Sequence, residues 1–350
     1  FKPYSGHYFW HAHEMLFGFV VAIMAGFLLT AVQTWTKVPS VKGKPLIMLV
    51  AVWLLARLSM AFPGWISGTL IVITDLLFLP LAALYLSIPI VKARLWRNLF
   101  FVPILLLMAV LNGLMHGTAQ GAVQASFFQI AHIMILMVTL VMCIMGGRVF
   151  PMFTANGTKT ERVEAIAWLE RLSIISVGLS VLIASEVVAL PDEIAAAIFF
   201  TAGAANFLRA LRWKIWVTFK TPLVWSLHVS YWAICLGLIL LGAAKLQLFE
   251  SISFAYHTIT VGGIGIMILS MISRVSLGHT GRFIQVGPVM TAALIAIVVA
   301  FIVRVFAPIL FVQYDVVILA SAALWIIAYG SFVVVYAPVL FKPRMDGGAG

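Results

Sequence analysis

From Trp10 to Leu340 the chain alternates between unbroken apolar runs of about twenty residues and short polar interruptions. A run of that length crosses a bilayer as a helix, and it lacks the two-residue alternation of a barrel strand. The pattern predicts eleven helices, over about 11–35, 45–62, 65–91, 99–117, 121–146, 167–190, 192–213, 222–244, 252–275, 284–307 and 315–340. Pro45, Pro63-Gly64, Pro191 and Pro222 punctuate the junctions. The longest predicted connection is "GGRVFPMFTANGTKTERVEA", long enough to be an ordered, functional loop. The expected fold class is therefore all-α, a polytopic transmembrane helix bundle. Residues 1–342 would form one integral-membrane domain, and residues 343–350, ending in "MDGGAG", a flexible tail. The chain opens on Phe1 with no cleavable signal peptide, so further residues are expected upstream.

Composition agrees with the pattern. The 350 residues are 63% hydrophobic and 9% charged, with a mean hydropathy of +1.13. A soluble domain needs about a quarter charged residues. The net charge of +11 invites a nucleic-acid reading, but the basic residues sit in short connections. Of the 22 lysines and arginines, only Lys2, Lys245 and the span-embedded Arg57 and Arg304 belong to one side; the rest gather on the other. Positive charge stays in the cytoplasm, so no nucleic-acid partner is expected and the "WHAHE" end faces the periplasm. Cys143 and Cys235 each lie inside a span and read as core cysteines, not as a disulfide.

Candidate chemistry comes from the histidines. Of His7, His11, His13, His116, His132, His228, His257 and His279, all but His7 fall within or at the edge of a span. Imidazoles at membrane depth are costly unless partnered. The plain alternative for each is a helix–helix hydrogen bond worth about 0.6 kcal/mol. His11, His13, His116 and His257 form an outer group, His257 about 8 Å deep, with His132 below it at about 16 Å. His228 and His279 form a separate inner pair. Imidazole serves copper, iron and zinc, and also ligates haem. All seven are thus candidate metal ligands, and His116, His132, His228, His257 and His279 are also candidate cofactor ligands. On a regular helix His11 and His13 point about 200° apart, so they share one ion only if the helix begins after them, near Glu14. Glycines beside His116 (Gly113, Gly117, Gly121) and below His257 (Gly262, Gly263, Gly265) permit close helix approach, or are plain packing.

Among the buried charges, Arg57 and Asp75 allow two readings. They form a mutual ion pair tying two helices, or Asp75 and Glu14 relay protons as catalytic groups while Arg57 pairs a haem propionate. Arg148 and Arg274, at helix ends, bind an anionic group or cap helix carboxyl termini.

Three stretches, "WHAHEMLFGF…AGFLLTAVQTWT", "GGRVFPMFTANG" and "HTITVGGIGIMILSMISRVSLGHTGR", together resemble the NnrS family of bacterial inner-membrane proteins over essentially the whole chain. The resemblance implies a twelve-helix protein, with one helix before "HAHEM", carrying haem (b-type, one or more) and copper in nitric oxide metabolism, denitrification and nitrosative stress. It maps the family's histidines onto the seven positions above without assigning metals to them. The most concrete expectation is a haem-dependent nitric oxide reductase, an oxidoreductase drawing on membrane quinol, with the outer cluster holding the reactive metal and His228 and His279 a second haem or the quinol. A transporter or handler of copper, haem or iron-nitrosyl species and a haem-based nitric oxide sensor are the alternatives. No repeated half supports the former, and no output domain the latter.

Overall fold

The computed structural model describes residues 1–249, 251–310, 313–345 and 347. Of the predicted tail, residues 346 and 348–350 lie outside the described residues; Met345 donates its N–H to the Thr280 carbonyl at 3.0 Å. Among the described residues every regular element is helical, and 11 helices are long and apolar enough to cross a membrane. They are α1 His7–Thr36, α2 Lys44–Ala61, α3 Gly68–Lys92 and α4 Phe101–Ala119, then α5 Phe127–Thr158, α6 Ala167–Ala184, α7 Asp192–Arg212 and α8 Pro222–Lys245, and finally α9 Ser253–His279, α10 Pro288–Leu310 and α11 Tyr314–Leu340. The chain is a multi-pass membrane protein, as the apolar runs predict.

The differences lie at helix ends. The predicted 20-residue loop after residue 146 is mostly helix, because α5 continues to Thr158. Gly146 and Gly147 are there for close packing, not termination. A Cβ on Gly146 would lie 2.8 Å from the Tyr231 ring, and one on Gly147 2.5 Å from Glu170 Oε2. Pro151 sits inside the same helix, as Pro80 and Pro89 do in α3, which membrane helices tolerate because neighbours satisfy the freed carbonyl. At its other end α5 begins at Phe127 and not at 121, since Gly121 adopts φ 71° in a turn. His279, expected in a loop, is the last residue of α9.

The chain divides into two compact units, Phe1–Met137 and Val138–Gly350. In the first, α3 packs against α1, α2 and α4, so it collects polar residues from all of them. In the second, α7 and α8 pack along each other, α8 also packs on α9, and α10 pairs with α11. Glycine sets how closely these helices approach. A Cβ on Gly203 of α7 would sit 2.9 Å from the Cys235 carbonyl, and one on Gly237 of α8 3.1 Å from the Ala255 carbonyl. Between helices in lipid this contact takes the place of hydrophobic drive. Cys143 and Cys235 are free and buried, as expected of core cysteines.

Candidate metal centre

The first unit gathers a charged core from four helices. It is built on an irregularity in α1. Residues His7–His13 form regular α-helix, Glu14–Val20 form π-helix, and α-helix resumes at Val21. A π segment leaves carbonyls without their usual partners, and Trp53 of α2 takes one, donating its indole N–H to the Gly18 carbonyl at 2.8 Å. Gly18 also opens the path of Arg57. A Cβ there would lie 2.6 Å from Arg57 Nη1.

The two candidate ligands of "HAH" point apart. The helix starts before them, so His11 is exposed and His13 fully buried; they do not share one ion. His13 Nδ1 lies 3.1 Å from Glu14 Oε1, while its Nε2 lies 3.1 Å from Asp75 Oδ2 and 2.9 Å from Asn112 Oδ1. On α4, Asn112 and His116 stand one turn apart on the buried face. Asn112 donates its amide N–H to Asp75 Oδ2 at 2.7 Å, and His116 Nε2 is 3.1 Å from the same oxygen. Arg57 spans the two carboxylates, donating to Glu14 Oε1 and to Asp75 Oδ1. Phe9 stacks on the His13 ring at 5.7 Å between centroids, and Tyr4 covers His116 at 5.6 Å.

Of the two readings of Arg57 and Asp75, the structure has the ion pair, which adjoins two imidazoles. Charge bookkeeping shows what the cluster lacks. Two carboxylates and one guanidinium leave one uncompensated negative charge when both imidazoles are neutral, in a site where uncompensated charge is expensive. His116 Nδ1 is buried with no partner, a lone pair or N–H left unsatisfied at a cost of about 1–3 kcal/mol. A bound cation, held through His116 Nε2, compensates the charge. His13, Asp75 and His116 each offer a ligand atom, all within 4.8 Å of one another. Ligands about 2.0–2.1 Å from a shared ion stand about 3.0–3.4 Å apart, which the two 3.1 Å separations to Asp75 Oδ2 match. Glu14 then takes the role of the outer carboxylate that fixes a ligating histidine through its other nitrogen. Two imidazoles and a carboxylate suit iron, copper or zinc.

The remaining predicted residues are elsewhere. His132 is half-buried on α5 and is not among these ligands. His257 belongs to the second unit. Its Nδ1 lies 2.8 Å from the Ser253 carbonyl and 3.0 Å from Ser253 Oγ, and its Nε2 faces Arg304 Nη2 at 3.1 Å. The two units share a local device here: His257, like His13, immediately precedes a π segment, Thr258–Gly265, and Gly265 gives its carbonyl to Tyr329 Oη at 2.8 Å. Of the predicted inner pair, His228 is fully buried and His279 exposed, so the two occupy different environments. His228 Nε2 is 2.9 Å from Thr154 Oγ1, and its Nδ1 is buried without a partner beside Phe150 and Trp213. Arg274 lies 4.0 Å over the Phe153 ring, and Arg148 is half-buried on α5.

Sequence reasoning missed Asn112, although "NGLMH" puts it four residues before His116 on the same helix face. It also missed the buried network around Arg209, which donates to Glu170 Oε2 and the Cys143 carbonyl, each at 2.8 Å, to Asn206 Oδ1 at 2.9 Å, and to Tyr231 Oη.

A family model described as NnrS protein matches residues 2–344, nearly the whole chain. The chain belongs to the NnrS family. Membership makes it a membrane protein related to nitric oxide metabolism, and its buried His–Asp–His cluster is compatible with a bound metal. Neither a curated protein nor a solved structure matches this NnrS chain.

Proposed function

We propose that this NnrS protein is an inner-membrane haem and copper protein that reduces nitric oxide to nitrous oxide with electrons from membrane quinol. The single observation that carries the reading is the convergence of His13, Asp75 and His116 beside the Glu14–Arg57 pair. The overall reaction takes two NO, two electrons and two protons to N2O and water, and one quinol supplies both electrons and both protons. His13, His116 and Asp75 hold the metal, which when bound supplies a redox-active site for nitric oxide. His228, with an unpartnered ring nitrogen among aromatic rings, has the chemistry of a haem axial ligand.

The protein's own groups handle the protons. Glu14 keeps 15% of its side chain exposed, whereas Asp75 keeps 2%. His13 Nδ1 faces Glu14 while its Nε2, with Asp75 Oδ2, is given to the metal, so Glu14 is the carboxylate left to pass protons at the edge of the site. Arg57 holds both carboxylates in place. The asymmetry of basic residues supports a periplasmic entrance at the "WHAHE" end. To test the reading, the purified protein is assayed for haem bands, metal content and N2O from NO with a quinol donor. Haem bands with N2O formation that collapses in His116→Ala support it; metal-loaded protein that makes no N2O removes the reductase.

A further inference from the structure

The second unit has a polar cavity that none of the candidate histidines lines. It has a volume of about 530 Å³ and is lined by Gly147 and Pro151 of α5, the 162–166 connection, the start of α6 (Leu169, Glu170) and the end of α7 (Arg209, Arg212, Trp213). A second cavity of about 370 Å³ adjoins it, sharing Arg162 and Arg212 as walls and adding Lys214 and Trp216. Its mouth lies where α6 begins and α7 ends, at the level where bilayer meets water, and Gly147 and Pro151 of α5 form its inner wall. Trp168 and Trp216 are 62% and 56% exposed at the same level, as interfacial anchors are.

The charges sort into used and unused. Arg209 and Glu170 neutralise each other at 2.8 Å. Arg212 spends one N–H on the Glu164 carbonyl at 3.0 Å. The exposed Glu161 and Glu164 also line the walls, against Arg162, Arg212 and Lys214. The balance outside the Arg209–Glu170 pair is one net positive charge, with two guanidiniums flanking the space. Guanidinium forks match phosphate oxygens, and carboxylates accept from hydroxyls. A polyphosphorylated group would meet the two glutamates; a single phosphodiester carrying hydroxyls would not. We infer that this double cavity binds the headgroup of an anionic membrane phospholipid, its phosphodiester between Arg162 and Arg212 and its glycerol hydroxyls toward Glu161 and Glu164. Basic pockets at the cytoplasmic ends of spans hold anionic headgroups by this chemistry. The inference stands independently of the metal centre.

The test is native mass spectrometry of the full detergent-solubilised protein titrated in turn with phosphatidylglycerol, phosphatidylcholine and inorganic phosphate. The wild type should retain phosphatidylglycerol in preference to phosphatidylcholine. In Arg162→Gln/Arg212→Gln the phosphatidylglycerol affinity should fall about 30-fold, with the metal held by His13, Asp75 and His116 unchanged. Both arginines lie outside the packed helix faces; Arg162→Lys/Arg212→Lys, which keeps the charge, should recover most of the binding. Equal phosphatidylglycerol retention by wild type and the glutamine variant overturns the inference. So does equal retention of the two lipids, and so does displacement of lipid by inorganic phosphate, which would make the site one for a soluble anion.

Discussion

Glu14→Gln separates a carboxylate that merely anchors Arg57 from one that tunes a metal ligand. The substitution keeps the volume and an amide oxygen in the place of Glu14 Oε1, so Arg57 Nη1 and His13 Nδ1 both retain an acceptor. Arg57 also keeps Asp75. Folding therefore loses only the difference between charge-assisted and neutral hydrogen bonds, about 1–2 kcal/mol. The cluster's formal charge rises from one negative to zero, and the His13 ring is held by a weaker acceptor. Removal of an outer-shell partner of this kind costs 10–100-fold in metal affinity, or about 1.4–2.7 kcal/mol. The assay is competitive titration of the metal-free protein with copper(II) and iron(II) against a chelator, alongside thermal unfolding in the same detergent. The expected result is a dissociation constant raised at least tenfold with a small loss of thermal stability. An affinity within about threefold of wild type, together with lowered stability, would refute the reasoning and leave Glu14 as an anchor for Arg57 alone.

Gly18→Ala forces a methyl to within 2.6 Å of Arg57 Nη1 and 3.2 Å of Glu14 Oε2, and Arg57 is pinned by two carboxylates and cannot swing freely. It should cost about 1–3 kcal/mol in thermal or denaturant unfolding and lower metal retention with it. Arg209→Leu leaves Glu170 without its partner and takes the Arg209 donor from Tyr231 Oη and the Cys143 carbonyl, and should destabilise the second unit by about 3–5 kcal/mol while metal bound at His13 and His116 remains; equal stability of variant and wild type would contradict that network's role.

The spans were legible because bilayer thickness sets one length for all of them, and Pro191 and Pro222 stand at helix starts as expected. The end of α5 was not legible: "GGRVFP" reads as a breaker, yet glycines there let Tyr231 and Glu170 press onto the helix, and proline is tolerated in lipid. Depth along a helix could be counted, so His13 and His116 fell correctly into one layer. Azimuth could not, because no hydrophobic stripe marks the inner face of a span and so nothing in the sequence says which of two histidines about 200° apart faces the packed interior. Thus His11 was grouped with His13 and proved exposed, while Asn112, a neutral residue, went unnoticed between His13 and Asp75. Asp75, Arg57 and Glu14 were singled out because charge inside a span must find a partner; which partners they find is a property of the packing of α1–α4.

The central claim is that His13, Asp75 and His116 ligate one metal ion. X-ray absorption at the metal edge of the purified protein tests it most directly, with metal content measured on wild type, His13→Ala and His116→Ala. The account predicts two imidazole nitrogens and a carboxylate oxygen at about 2.0–2.2 Å, with the signal abolished in either variant. A metal whose first shell and stoichiometry are the same in all three proteins would contradict it.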